Sequence, residues 1–434
     1  MKDEPRLHGD VTPSVDTKEW FRRTAFVLGP FPALSQTFIY REFDAMSELG
    51  LDVNVLSTGP HQPEDMRLTE TLRMVQRAAM YLDYRSPREI ASIGAGLASS
   101  DAQQTMRWMM RFPHRTAAKR TRAAAAVLVA AHFAPELVRR GIRYVHSHFA
   151  GFQTEIAMSL SHLLGIPYGC TWHAYGIYQD RNILKHKIAG ARTVITCTRH
   201  NVEHLEALCP DARPRIHLAY HGLDLDRIPQ PTPISDAGPA IILAVGRFIE
   251  KKGFPHLIDA ASLLQRAGRR FELRLLGDGP DRRALESQVS RLGFKDEGKF
   301  LGAQPNTEVF AQIAAARVIA VPSVVTEEGD MDGLPNVVLE AMSMGRPVVG
   351  SRVSGIPEVV IPGETGFLVE PGNPVDLSEK LSLVLDDATL AAALGHRGRT
   401  RILEDFDVKK NVRRVIEAIT IANATPPTPH PSNP

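Results

Sequence analysis

The stretch that decides the fold is GDMDGLPNVVLEAMSMGRPVVGS, residues 329–351. It follows Val318–Val321, a short apolar run that ends at a proline and is typical of a buried strand. An acidic loop comes next, and Pro335 then stands at the first helical position, which tolerates proline. Apolar residues recur with a helical period until Gly345, and residues 347–350 are typical of another buried strand. The stretch therefore predicts a strand–loop–helix–strand unit of a parallel sheet.

Two acidic side chains of this unit lie where ligands bind. Asp332 falls in the loop at the carboxyl end of the first strand, and Glu340 falls on the helix that follows. Open α/β sheets bind ligands in that crevice, and the amino end of a helix offers free N–H groups to an anion. We interpret the loop and the start of the helix as a ligand-binding site; the alternative is a capped helix on a surface loop.

The rest of the chain repeats the same alternation. Further strands are predicted at 241–245 and 273–276, and in the first half at 24–28 and 53–56. Strands that alternate with helices predict βαβ units and a parallel sheet, so the fold class is α/β. The first unit carries no G-x-G-x-x-G, so the dinucleotide fingerprint is missing.

A basic pair follows the predicted strand 241–245. Arg247 and Lys252 are spaced R-x4-K in GRFIEKKG, and a guanidinium fork with an ammonium group suits phosphate oxygens. The turn LLGDGP at 275–280 follows the next strand. Taken alone, both motifs have plainer explanations, namely basic residues on a surface loop and a type I turn.

Composition limits the function classes. The chain has 434 residues and a formal net charge of +2, so its length suggests two or three domains and its charge does not favour nucleic acid as a partner. Its three cysteines have no metal-ligand spacing and suggest a reducing compartment. No signal-peptide pattern and no bilayer-spanning apolar run are visible, so we expect a cytoplasmic protein.

One segment favours contact with a membrane. Basic residues recur near helical periods in 107–122, interleaved with Trp108, Met109 and Phe112. This pattern predicts an interfacial helix on an anionic leaflet. Pro113 interrupts the pattern, however, and the alternative is an ordinary solvated face.

Together these motifs resemble retaining GT-B glycosyltransferases of family 4, in the exopolysaccharide and colanic-acid branch. Asp332 and Glu340 stand in the spacing of that family's acid-x7-glutamate signature, and Arg247 and Lys252 in that of its phosphate-binding pair. The first acid is usually glutamate in the family, so Asp332 is a departure. The segment GPFPALSQTFIYRE resembles the family's acceptor-facing loop and helix. The resemblance implies two doubly wound, Rossmann-like domains that face each other across a cleft.

The resemblance also implies roles for single residues. His173 resembles the family's histidine that faces the donor's phosphate and sugar; the alternative is a satisfied structural histidine. The implied catalytic residues are Asp332, His173, Arg247 and Lys252. The implied donor-binding residues are Arg247, Lys252, Gly277, Gly333, Leu334, Pro335 and Glu340, and those on the acceptor side are Ser35, Gln36 and Thr37.

The domain boundaries follow from composition and from the resemblance. Residues 229–239 are rich in proline and turn formers and read as an interdomain linker. We therefore predict an amino-terminal acceptor-side domain at 1–228, with a mostly helical segment at 61–135, and a nucleotide-sugar-binding domain at 229–404. A helix at 405–425 is predicted to cross back to the first domain, and a proline-rich tail at 426–434 to be disordered.

No cofactor and no metal ligand are predicted. The D-x-D at Asp330 and Asp332 is a weak metal motif, and enzymes of the resembled kind act without a metal ion. His146 and His148 lie two apart on a strand end, without a clear third ligand. Arg247 and Lys252 would supply the positive charge instead.

The predicted function is hexosyl transfer, with retention, from a nucleotide-diphosphate sugar to a saccharide that is lipid-linked, for a surface polysaccharide. The predicted location is the cytoplasm, peripheral on the inner face of the cell membrane. One alternative is a soluble glycosyltransferase that acts on a small-molecule or natural-product acceptor. Another is a non-catalytic nucleotide-sugar sensor or scaffold, which could afford to lose one of the four site residues that this chain retains.

Overall fold

A computed structural model describes residues 13–32, 37–61, 63, 68–96, 98–234, 238–294 and 298–424. In these residues the strands are β1 (Thr24–Leu28), β2 (Asn54–Ser57), β3 (Met80–Tyr81), β4 (Tyr144–His148), β5 (Tyr168–Trp172), β6 (Val194–Thr196), β7 (Ile216–Leu218), β8 (Ala240–Val245), β9 (Phe271–Leu276), β10 (Gly298–Gly302), β11 (Val318–Val321), β12 (Val348–Ser351) and β13 (Gly366–Val369).

The helices of the same residues alternate with these strands. They are α1 (Val15–Arg22), α2 (Thr37–Glu48), α3 (Glu70–Ala78), α4 (Pro87–Gly96), α5 (Ser100–Met109), α6 (Ala117–Arg139), α7 (Phe152–Leu164), α8 (Ala174–Tyr178), α9 (Leu184–Gly190), α10 (Arg199–Leu208), α11 (Phe254–Arg266), α12 (Arg282–Leu292), α13 (Asn306–Ala315), α14 (Asn336–Ser343), α15 (Ile356–Val359), α16 (Pro374–Asp386), α17 (Ala388–Asp405) and α18 (Val408–Ala424).

The strands form two parallel sheets, which confirms the predicted α/β fold class. The first sheet has the order β3-β2-β1-β4-β5-β6-β7, and the second has the order β10-β9-β8-β11-β12-β13. Numbered within its own half, the second sheet runs 3-2-1-4-5-6, which is the order of a doubly wound nucleotide-binding fold. The strand order reverses between β8 and β11, which pair in parallel through Val318 with Ile242 and Ile319 with Leu243. The loops that leave these two strands therefore emerge side by side.

Helices cover the second sheet on both faces. Successive residues of β8 point to opposite sides, so Ile242 packs in one apolar layer and Leu243 in the other. Residues of α11, α12 and α16 pack in the first layer, and residues of α13 and α14 pack in the second. A sheet that is buried on both faces explains why its strands are continuous apolar runs rather than alternating ones.

The structure corrects several sequence predictions. The sequence reading missed β10 and β13, which stand at the edges of the second sheet, and the short edge strand β3 in the first. It also missed α17, which occupies 18 residues before the last helix. Pro335 is the residue that caps α14 rather than its first helical residue. Its position outside the helix leaves Asn336 to begin the first turn.

The chain divides into two compact units. The first consists of 1–171, 186–193 and 416–434, and the second of 172–185 and 194–415. The carboxyl end of α18 belongs to the first unit, and its beginning belongs to the second. The boundaries predicted at 228/229 and 404/405 stay predictions, and the tail at 426–434 lies outside the described residues.

The basic segment 107–122 is not one helix. Helix α5 ends at Met109 and α6 begins at Ala117, with a turn around Pro113 between them. The apolar side chains of the segment pack inward: the Trp108 ring stacks on that of His162 with centroids 4.4 Å apart, and Phe112 is buried. The segment therefore does not present the amphipathic helix that the sequence predicted, because its apolar residues are used in the fold.

Helix α6 has the composition of a membrane-spanning helix by length and hydropathy alone, with 44% of its most apolar window buried in the protein. One face carries buried residues, among them Ala126, Val127, Ala130 and Phe133. This one-sided burial is typical of a helix that packs against the rest of the fold.

Candidate functional site

The loop after β8 is fixed by contacts that only glycine permits. Gly253 has a φ of +66°, and a Cβ atom there would lie 1.8 Å from the carbonyl oxygen of Pro322, the residue after β11. Gly277, in the turn after β9, has a φ of +145°, and a Cβ would lie 1.9 Å from the carbonyl oxygen of Gly246. These close approaches hold the loops after β8, β9 and β11 against one another.

The structure brings together two of the predicted site residues, Lys252 from the β8 loop and Asp332 from the β11 loop. Lys252 Nζ lies 2.9 Å from Asp332 Oδ2, and the side chains are 19% and 11% exposed. The hydroxyl of Ser323 donates to the same oxygen at 2.9 Å. Asp332 is therefore held by two donors, and its carboxylate has one oxygen that these bonds do not use.

A second ion pair lies beside the first. Lys251 Nζ donates to Asp330 Oδ1 at 3.1 Å, and the backbone of Asp330 bonds to Thr326 in both directions. Each carboxylate of the D-x-D motif thus forms an ion pair with a lysine ammonium group. Asp330 differs from Asp332 in that its backbone also closes the loop onto Thr326, which favours a structural use for Asp330.

Arg247 is the exposed cation of the site. It follows β8 directly, and in the part of the chain that the structure describes its guanidinium forms no ion pair. The ammonium groups of Lys251 and Lys252 are each balanced by a carboxylate, so Arg247 supplies the uncompensated positive charge at this edge of the sheet. A guanidinium fork is suited to bidentate contact with phosphate.

The amino end of α14 faces the same edge. Its cap residue is Pro335, whose side chain cannot bond to the first N–H groups, so no side-chain cap is formed there. Leu334 and Glu340 are buried, and the carbonyl of Gly333 accepts from the N–H of Gly355 at 2.9 Å. A helix amino end without a side-chain cap attracts anions.

His173 lies where the sequence placed it, after β5 and at the cap of α8. Its ring stacks on that of His221, with centroids 4.9 Å apart and an interplanar angle of 30°. Ligand atoms of His173, His221 and Cys197 all lie within 4.8 Å of one another. Burial raises the pKa of the Cys197 thiol to about 12, so the thiol is protonated at neutral pH. Sequence reasoning missed Cys197 and His221 because neither stands in a local ligand motif.

The two parts of the site touch at Gly333. A Cβ atom on Gly333 would lie 3.5 Å from Cβ of Ala174 and 3.9 Å from Sγ of Cys197. The loop that carries Asp332 therefore runs past the residue after His173. The structure brings Asp332, Lys252 and the His173 cluster to one edge of the second unit.

The structure describes only one of the three residues predicted for the acceptor side. Ser35 and Gln36 lie outside the described residues, and Thr37 begins α2. Sequence reasoning missed Glu42 on the same helix, whose carboxyl pKa is raised to about 8 by burial. Its Oε1 lies 3.7 Å from Nε2 of His148, at the end of β4. A carboxyl group that stays protonated at neutral pH can donate a hydrogen bond, and no sequence pattern indicates such a shift.

Comparisons with known proteins find sequence similarity over the residues that form this site. Residues 229–401, which hold Arg247, Lys252, Asp332 and Glu340, match the family described as Glycosyl transferases group 1. The chain is 34% identical over 217 residues to WcaL of Escherichia coli (strain K12), which carries the name of a colanic acid biosynthesis glycosyltransferase, and this covers 49% of the chain and 52% of that relative. The alignment thus spans about half the length of that relative.

Two further similarities extend over more of the chain. The 2-deoxystreptamine glucosyltransferase of Streptomyces kanamyceticus is 27% identical over 270 residues, which cover 57% of this chain and 68% of that one. The crystal structure of Anabaena Alr3699/HepE in complex with UDP and glucose superposes with a TM-score of 0.67 at 17% identity, over 92% of this chain and 100% of that one. The fold is therefore that of GT-B glycosyltransferases, and residues 229–401 match the model of the family described as Glycosyl transferases group 1.

Proposed function

We propose that this protein is a retaining glycosyltransferase of family 4, which moves a hexose from a nucleotide-diphosphate sugar to a saccharide acceptor in surface polysaccharide biosynthesis. The observation that carries the proposal is the Lys252–Asp332 contact, because it joins the phosphate-binding loop and the sugar-binding loop of the resembled family at the point where the strand order reverses. A non-catalytic sensor or scaffold could lose at least one of the four residues Arg247, Lys252, Asp332 and Glu340, and this chain retains all of them.

The donor's diphosphate would occupy the edge formed by the β8 loop and the amino end of α14. Departure of the nucleoside diphosphate leaves negative charge on its terminal phosphate, and preorganised cations there lower the barrier. Arg247 would contact the phosphate oxygens directly. Lys252 has three N–H donors and gives one to Asp332, so the remaining two can serve phosphate. These cations supply the charge that a metal ion would otherwise bring, so we propose catalysis without a metal cofactor.

The sugar and the nucleoside would lie on either side of the diphosphate. Asp332 would accept from the hydroxyls of the sugar through the oxygen that Lys252 and Ser323 leave unused. Glu340, buried on α14, would accept from the ribose hydroxyls. His173 would face the sugar from across the Gly333 loop. We propose retention by internal return, in which the acceptor oxygen attacks on the face that the leaving group vacates.

The proposed acceptor is a lipid-linked saccharide on the inner face of the cell membrane. The similarity to WcaL, named for colanic acid biosynthesis, supports a polysaccharide acceptor. Arg107, Arg111 and Arg115 are exposed, whereas Met109 and Phe112 of the same segment are buried, so we propose electrostatic attraction as the means of contact with an anionic leaflet. The longer similarity to the 2-deoxystreptamine glucosyltransferase favours a second candidate, a soluble enzyme with a small-molecule acceptor.

A ligand screen followed by a transfer assay tests the proposal. UDP-glucose is the first donor to try, since the Anabaena structure holds UDP and glucose, and other UDP, GDP and ADP sugars follow. We expect one donor to raise the melting temperature of the wild type and to lose that effect in Arg247→Ala. The anomeric configuration of the product, read by NMR, then tests retention. No stabilisation by any nucleotide sugar, or an inverted product, would contradict the proposal.

A further inference from the structure

Three ligand-type side chains come from the ends of three neighbouring strands. His173 follows β5, Cys197 follows β6 and His221 is three residues beyond β7. Parallel strands deliver their carboxyl ends to the same edge of a sheet, so side chains far apart in sequence meet there. Their ligand atoms lie within 4.8 Å of one another, in a place where His173 and Cys197 are buried.

The distances between the three ligand atoms are somewhat longer than those between two ligands of one bound zinc ion. Zinc binds imidazole nitrogen at about 2.0–2.1 Å and thiolate sulfur at about 2.3 Å, so at tetrahedral angles two such ligands of one ion lie about 3.3–3.6 Å apart. The most widely separated of the three ligand atoms, which all lie within 4.8 Å of one another, would therefore need to approach by about 1 Å on binding. The His173 and His221 rings are stacked at 30°, so they must also turn their nitrogens toward the ion. The cluster is therefore close to a metal site, but it is not yet arranged as one.

We propose that His173, Cys197 and His221 bind one Zn²⁺ ion, and that this ion inhibits the enzyme reversibly. Two imidazoles and a thiol suit zinc and other borderline-soft ions, and do not suit magnesium or calcium, which prefer oxygen. Three protein ligands leave a fourth position for water, as in zinc sites that are not purely structural. On binding, two imidazole nitrogens and the Cys197 thiolate replace waters of the hydrated ion; the thiol proton and the displaced waters go to solvent, and no oxidation state changes.

The inhibitory part rests on the proposed function. The ion would inhibit because it would occupy a His173 nitrogen that the donor sugar is proposed to need. A His173 nitrogen that is bound to zinc is not available to the donor sugar. The ion would also sit beside Gly333, whose Cβ position is 3.9 Å from Cys197 Sγ, and would fix the loop that carries Asp332. The inhibitory ion is thus distinct from a catalytic metal, and its removal should raise activity.

The binding part is tested on its own with Co²⁺, which gives thiolate-to-metal absorption that zinc lacks. An untagged protein, reduced with a phosphine and freed of metal, is titrated with CoCl₂ and then with ZnCl₂. We expect one equivalent of Co²⁺ to produce the thiolate band and one equivalent of Zn²⁺ to abolish it. Cys197→Ser should lose the band, whereas Cys209→Ser, at a half-buried cysteine outside the cluster, should keep it.

A second variant tests the site independently, because a substitution at the buried Cys197 could disturb folding. His221→Gln removes a half-buried ligand, and zinc affinity should fall by more than the roughly 10–100-fold that the loss of a supporting residue costs. Circular dichroism confirms that each variant is folded. A wild type without the thiolate band, or a folded Cys197→Ser that binds zinc as tightly as the wild type, would overturn the site.

The inhibitory part is read in the transfer assay. Zinc should inhibit the wild type and Cys209→Ser, with recovery on adding EDTA, and Cys197→Ser should resist it. Equal inhibition of both cysteine variants would overturn the inhibitory role. If no donor is turned over at all, the proposed function fails, and the Co²⁺ titration still decides whether the site exists.

Discussion

Replacing Asp332 by asparagine tests the contact that joins the two loops. The substitution keeps the shape of the side chain and an oxygen that can accept from Lys252 Nζ, now 2.9 Å away, and from the hydroxyl of Ser323. It removes the negative charge. We expect kcat to fall while the KM for the donor does not rise, because the loss of a carboxylate leaves the phosphate-binding edge more positive.

The magnitude follows from the burial of the pair. Asp332 and Lys252 are 11% and 19% exposed, so solvent screens their attraction only in part. A hydrogen bond to a charged group is typically worth about 1.5–3 kcal/mol. At 1.36 kcal/mol for each factor of ten, a loss of that size in the transition state slows turnover roughly ten- to a hundredfold or somewhat more. The affected bonds are those from the sugar hydroxyls and from Lys252.

Asp330→Asn is the matched control. Asp330 lies two residues earlier on the same loop, and it accepts from Lys251 at 3.1 Å as Asp332 accepts from Lys252. Asp330→Asn keeps an oxygen that can accept from Lys251 and leaves Asp332 in place, so we expect kcat to change by less than about threefold, or about 0.7 kcal/mol. The comparison therefore separates a general effect of removing charge from this loop from a specific effect at Asp332.

The assay is initial-rate release of nucleoside diphosphate at varied donor concentration, with the melting temperature of each variant as a control for folding. Pairing Asp332→Asn with Lys252→Met in a double-mutant cycle measures their coupling, which we expect between about 0.5 and 3 kcal/mol for residues in contact. If Asp332→Asn turns over every accepted donor at the wild-type kcat, or if Asp330→Asn is impaired equally, Asp332 only holds the loop and the reasoning is wrong.

Further expectations concern the charges elsewhere in the molecule. Arg247→Ala should lower turnover by about 10²–10³ with an unchanged melting temperature, since it removes a stabiliser of developing charge at an exposed position; wild-type rates would exclude a phosphate role. Activity should survive EDTA; full loss that magnesium or manganese restores would instead favour a catalytic metal. Lys187→Ala should cost about 1–3 kcal/mol of unfolding free energy in urea, because the carbonyl of Ala150 loses the buried Nζ donor, while Arg122, 2.6 Å from Glu155, still pairs with that buried carboxylate. Charge reversal at Arg111 and Arg115 should lower sedimentation with anionic vesicles, and equal binding to neutral vesicles counts against membrane contact.

The sequence predicts the second sheet well where strands are buried on both faces. Such strands are continuous apolar runs bounded by turn residues, and β11 was predicted with the bounds that the structure has. The edge strand β10 escaped because GKFLG has a lysine and two glycines, so neither an apolar run nor an alternation marks it. The edge strand β13, GFLV, has the length and apolar character of β11 and was missed without such a reason. Helix α17 escaped for a reason related to that of β10, since its small and polar residues give only a weak apolar stripe.

Some residues of the candidate site could also be predicted from the sequence, and others could not. Lys252 and Asp332 could be found from the sequence because each belongs to a loop motif with fixed spacing, although their mutual contact could not, since it depends on the order of the strands. Cys197 and His221 lie on separate strand ends without local ligand spacing, and only the assembled sheet brings them to His173. The raised pKa of Glu42 is likewise a property of its buried surroundings.

The Lys252–Asp332 contact also bears on how donor binding would proceed under the proposed function. An ammonium group that is already held at 2.9 Å by a carboxylate does not have to be ordered when the diphosphate arrives, so less side-chain entropy is lost on binding. The same contact lowers the net positive charge that phosphate meets, which weakens the attraction. Arg247, exposed and outside any ion pair among the described residues, offsets that loss by providing the long-range attraction. The two cations would thus have different roles. Arg247 would provide the long-range attraction for the diphosphate, and Lys252 would contact the bound diphosphate beside the loop that carries the sugar-binding carboxylate.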